Sequence, residues 1–140
     1  MKYTATFFKT YLDYYYHKVT PSLEDIDIYL RSGEDSFPVT EVSRLLYITP
    51  NELAHIMDEK QVTFINKENF FEIMRHGSSD ICQLYHREVE RRSPFIYTPA
   101  DIAYIYQLDE GVVGEICRGL GFEQVTSSLL PMVFGKISLV

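Results

Sequence analysis

Cys82 and Cys117, with His17, His55, His76 and His86, are the side chains best suited to nucleophilic or metal chemistry, and their spacing supports neither. A structural zinc site draws four ligands from short intervals, such as C-x2-C followed by a histidine pair, whereas here every cysteine and histidine stands alone. The two cysteines read as reduced, packed thiols. Paired carboxylates at Asp25 and Asp27, or at Asp58 and Glu59, fall where a helix is capped or solvated, so they do not form an acid–base pair. There is no G-x-S-x-G, no H-E-x-x-H and no glycine-rich phosphate loop. Gly111, Gly114, Gly119 and Gly121 crowd together, but "GVVGEICRGLG" keeps a helical period and follows no apolar strand. Helix packing and a glycine C-cap account for them. No catalytic, cofactor-binding or metal-ligating residue is expected, and the chain reads as non-enzymatic.

What remains is binding. Tyr14, Tyr15 and Tyr16 are consecutive, and successive helical residues point about 100° apart. All three cannot face one core, and an exposed tyrosine is a favoured interface residue. Asn51, His55 and Glu59 join them as candidate partner-binding residues, on the outward face of a helix described below. Contact with DNA would fall to Arg44, Asn51, Lys60, Lys67, Arg75, Arg91 and Arg92.

The charge balance weighs against DNA. The chain of 140 residues carries a net charge of −7. Residues 1–36 and 37–78 each hold four basic and six acidic groups, 79–97 hold three of each, and 98–140 hold two and five. No segment is a basic patch, although phosphate neutralisation supplies most of the affinity for nucleic acid. In "HREVERR" the arginines alternate with Glu88 and Glu90, the pattern of a solvated helix face. No apolar run is long enough to span a membrane, and the N-terminus lacks the apolar block of a signal peptide. A cytoplasmic protein is the expectation.

The elements that would carry these residues are helical. Three Thr-Pro pairs, Thr20-Pro21, Thr49-Pro50 and Thr98-Pro99, read as helix starts, with threonine as the cap and proline at the first helical position. Phe8, Leu12 and Tyr15 share one face of an N-terminal helix, though the aromatic content would also suit a strand. "SLEDIDIYLRSG" is a short helix ended by Gly33. "VTEVSRLL" buries Val42, Leu45 and Leu46, and "PNELAHIMDEK" buries Leu53, Ile56 and Met57. "QVTFI" is a short extended connection. Asn66 caps "KENFFEIM", with Phe70, Ile73 and Met74 inward. "SDICQLYHREVERR" is amphipathic along Ile81, Leu84, Tyr85 and Val89.

A shift of sixty positions lays residues 37–74 on 97–134 without a gap. Thirteen of the 38 pairs are apolar on both sides, where composition alone would give about eight. Small residues match small ones, as at Ser43 and Ala103, and the turn falls in the same place. The expected organisation is therefore an N-terminal helical extension (1–36), a first helix-turn-helix unit (37–78), a linking helix (79–94) and a second unit (95–140).

"VTEVSRLLYITPNELAHIMDEKQVTFINKENFFEIM" resembles the helix-turn-helix of the excisionase and MerR-type regulators. Glu41, Ser43, Leu45, Leu46, Ile48, Thr49 and Pro50 match its first helix and turn, and "NKENFFEIM" stands where a third helix follows the wing. Asp101, Ala103, Ile105, Leu108 and Val113 match in the second unit. The resemblance implies a mainly α fold of tandem helix-turn-helix units with short wing-like segments, and a DNA-binding transcriptional role. The second helices depart from that role. They set Glu52, Asp58 and Glu59, and then Asp109, Glu110 and Glu115, where a groove-reading helix carries donors, and like charges at such an interface cost energy. The reading is a regulatory or adaptor protein that binds another protein or self-associates as a homodimer. A DNA-binding regulator is the alternative.

Overall fold

The structure, a computed structural model, describes residues 8–91, 93 and 95–140. It is mainly α, and among the described residues there is no β-strand, only isolated bridges. The helices are α1 (Tyr11–Tyr14), continued by a π-helical turn at Tyr15–Val19, then α2 (Thr20–Leu30), α3 (Val39–Leu46), α4 (Pro50–Glu59), α5 (Lys67–Met74), α6 (Asp80–Val89), α7 (Pro99–Tyr106), α8 (Glu110–Leu120) and α9 (Leu130–Phe134), the last preceded by a 3-10 turn at Ser127–Leu129.

Two of the three Thr-Pro pairs start helices. The Thr49 hydroxyl accepts from the Glu52 N–H at 3.0 Å, and Thr98 forms a reciprocal capping box with Asp101. Thr20-Pro21 does not, because the chain is already helical from Tyr11. Within a helix, a proline ring collides with the carbonyl four residues back. Here the turn ahead of Pro21 widens, and the Thr20 N–H donates to the Tyr15 carbonyl, five residues back. The N-terminal stretch is helical, with Leu12 and Tyr15 half-buried on its inner side, but its most buried positions are ones the expected face left out. Tyr11 and Val19 are buried, Tyr15 is half-buried between them, and Phe8 precedes the helix. Val89 likewise stays exposed at the end of α6, where Ile81 and Cys82 make the buried contact, and Met57 is only half-buried in α4.

The chain packs as two compact units, one of Pro21–Val89 and one in which residues up to Thr20 join Glu90–Val140. Each has its own core. In the first, Val42, Leu46, Leu53, Phe70 and Ile73 are inaccessible to water; in the second, Ile102, Val113, Val125 and Val133 are. The local geometry recurs at the sixty-residue interval. The Phe37 N–H donates to the Ile65 carbonyl at 2.8 Å, and the Tyr97 N–H to the Val125 carbonyl at 2.6 Å. Tyr47 and Gln107 both turn the chain at φ 57°, as do Gln61 and Gly121 at φ 58° and 80°. The wing-like segments amount to one bridge each, Phe37 with Ile65 and Tyr97 with Val125.

In each unit one more helix packs on the three that recur at this interval, α3–α5 and α7–α9. In the Pro21–Val89 unit it is α6, which follows directly. The Ser79 hydroxyl donates to the Leu46 carbonyl at 2.6 Å, and Cys82 is fully buried beside Gly77. In the other unit it is α1 with its π-helical turn, which arrives from far away in sequence. The Tyr11 N–H donates to the Ile137 carbonyl and the Leu139 N–H to the Lys9 carbonyl, both at 2.9 Å, setting Thr10 opposite Ser138. Tyr11 packs against Phe134 and Tyr106 at ring separations of 4.8 and 6.0 Å.

α6 packs closely over Gly77. A Cβ there would sit 2.5 Å from the Cys82 sulfur and 3.0 Å from its Cβ. Gly77→Ala is expected to cost about 1–3 kcal/mol through overpacking. In a Cys82→Ala background the same change should cost visibly less, as a double-mutant cycle by denaturant unfolding would read. Equal costs in both backgrounds would refute the contact.

Candidate protein-interaction surface

The outward face of α4 is fixed by what its inner face buries. Thr49 and Pro50 set the start, and Leu53 and Ile56 anchor the helix inward. At 3.6 residues per turn, this leaves Asn51, His55 and Glu59 on one exposed ridge, with Asp58 beside them. The His55 ring nitrogen lies 3.4 Å from the Glu59 carboxylate. Glu52 is occupied elsewhere, since its two oxygens accept from the Ser78 N–H at 2.7 Å and the Ser78 hydroxyl at 2.8 Å, pinning the turn into α6. The corresponding face of α8 exposes Gly111, Glu115, Arg118 and Gly119.

The basic residues form no such ridge. The Arg44 guanidinium holds Glu41 at 2.7 Å. Lys60 approaches Glu72 at 4.0 Å; the same carboxylate meets His76 at 3.1 Å, a bond that lowers its pKa. Lys67 is exposed at the start of α5. Arg75 is half-buried, and its Nε is shut from solvent with no hydrogen-bond partner. In the other unit, the Arg91 guanidinium stacks 4.0 Å over the Tyr97 ring while its Nε donates to the Ser93 carbonyl. Arg92 lies outside the described residues.

The three consecutive tyrosines divide as helical geometry requires. Tyr14 packs on Tyr11, Tyr15 packs on Phe134 at 5.1 Å, and Tyr16 is 52% exposed. Burial raises the Tyr15 pKa, as it does for the Cys82 and Cys117 thiols, which makes those thiols poor nucleophiles. Among the described residues, no group of three His, Cys, Asp or Glu side chains is placed to hold a metal, and no helix is long and apolar enough to cross a membrane.

Sequence reasoning passed over Tyr47. It ends α3 in the left-handed conformation that glycine or asparagine ordinarily takes, yet its side chain is 68% exposed. A bulky residue at positive φ costs free energy and here gains no burial in return. The available clue was position, because Tyr47 follows the last buried leucine of "VTEVSRLL" and precedes the next helix cap. Tyr47→Gly is expected to stabilise the protein by about 1 kcal/mol, read as a higher denaturant midpoint. A lower midpoint would mean that the ring makes contacts that outweigh the strain.

Comparison with protein families finds no match for this chain, and neither curated proteins nor solved structures match it.

Proposed function

We propose that the protein is a non-enzymatic adaptor or regulator that binds another protein through the outward face of α4. The observation that carries this reading is the exposed ridge of Asn51, His55 and Glu59, flanked by Asp58. Its charge suits a basic protein surface and repels phosphate. Tyr47, exposed at a backbone position where tyrosine is costly, adds an aromatic anchor on the same unit. Two free, buried thiols suit a reducing compartment such as the cytoplasm.

The resemblance to excisionase and MerR-type regulators makes DNA the competing ligand. Arg44 and Lys60, which would be needed at phosphates, already face Glu41 and Glu72. Anisotropy with labelled duplex DNA at low salt should show no specific binding. Tight binding that falls steeply as salt rises would overturn the adaptor reading. In the positive arm, Asp58→Lys with Glu59→Lys is expected to weaken a purified partner, found by affinity capture, by at least about tenfold, the equivalent of 1.4 kcal/mol.

A further inference from the structure

The two units are closed by equivalent helices with different covalent histories. α6 must cover Leu46 and Gly77, because only Ser78 and Ser79 join it to Gly77 and the Ser79 hydroxyl fastens it to the Leu46 carbonyl. α1 and its π-helical turn cover Tyr106, Phe134 and Ile137 without any such tether. The chain leaves Val19 along α2 and passes through the whole Pro21–Val89 unit before it reaches the surface that Tyr11 occupies. Tyr11 and Val19 are buried by contacts that belong to sequence, not to connectivity. A second copy offers the same helix and the same face, so every contact made within one chain can be made between two. Only the effective concentration of the tether separates the two arrangements.

We propose that Tyr11–Val19 is an exchangeable element, and that its face on the Glu90–Val140 unit accepts the same helix from a second copy, giving a closed dimer by reciprocal exchange. The exchange is independent of what α4 binds.

The bridge between Thr10 and Ser138 supplies the test. With the Tyr11–Ile137 and Leu139–Lys9 hydrogen bonds on either side, these two residues form the non-hydrogen-bonded type of antiparallel pair, whose Cα atoms come within disulfide reach. A full-length chain carrying Thr10→Cys, isotope-labelled, is mixed with one carrying Ser138→Cys, held at high concentration and oxidised. Mass spectrometry of the digested, non-reduced dimer is expected to find positions 10 and 138 joined between a labelled and an unlabelled chain. The yield should rise with protein concentration and exceed that of two Thr10→Cys chains joined by collision. The double variant, carrying both changes in one chain, checks that the substitutions preserve docking. If it closes fully within one chain while the mixture yields no more than the collisional product, exchange is refuted. If neither crosslinks, the docked geometry is itself absent and the proposal falls with it.

Discussion

Phe134→Ala is expected to destabilise the protein by about 3–5 kcal/mol, the range for removing a buried phenylalanine. Phe134 is almost wholly buried, and the rings of Tyr11, Tyr106 and Tyr15 surround it at 4.8, 4.8 and 5.1 Å. The loss therefore combines a cavity with the ring contacts that fasten α1. Denaturant unfolding gives the magnitude, and amide exchange should place the first loss of protection in Tyr11–Val19. Met74 holds the equivalent place in the Pro21–Val89 unit, whose amides should stay protected. A cost under about 1 kcal/mol, or uniform loss of protection in both units, would show that this cluster does not hold the helix.

Alkali should open the same unit first. Tyr106 is buried and its hydroxyl hydrogen-bonds with Tyr97, so its pKa is raised well above the ordinary value, chiefly by burial and then by the neighbouring Tyr15. Tyr97 and Tyr15 are raised too, again chiefly by burial. A phenol whose folded pKa lies above its unfolded one stabilises the fold fully below the unfolded value of about 10. That contribution is lost as pH climbs from there towards the folded value. Phe37 and Leu46 stand at the positions of Tyr97 and Tyr106 in the other unit and carry no proton to lose. Phenolate absorbance against pH, with amide exchange alongside, should show the Glu90–Val140 core opening at lower pH than Pro21–Val89. Tyr106→Phe is expected to move that midpoint upward while costing about 1 kcal/mol at neutral pH for the lost hydrogen bond. Simultaneous opening of both cores would contradict this account.

Local chemistry made much of the fold legible. The caps at Thr49, Asn66 and Thr98 depend on residues three positions apart, and the buried sets of α3 and α5 follow from period alone. Thr20-Pro21 looked the same as the other Thr-Pro pairs because its meaning depends on the helix before it, which a π-helical turn carries through. Of the expected face, Tyr15 packs inward, but Tyr11 was missed because its burial is set by Phe134 and Tyr106, whose approach no local pattern encodes. On the candidate surface, exposure of Asn51, His55 and Glu59 follows from the spacing of Leu53 and Ile56. The diversion of Glu52 to Ser78 and of Lys60 to Glu72 joins residues distant in sequence and could not be read there.

The placement of α1 also sets an order of events on the ribosome. Pro21–Val89 is contiguous, so its core can close as soon as it has emerged, since domains generally fold as units during synthesis. The Tyr11–Val19 segment, by contrast, must wait for Ile137 and Leu139, more than a hundred residues further along the chain. Until then, Tyr11 and Val19 have no core to enter, and the apolar face of this helix stays open to water, chaperones and neighbouring nascent chains.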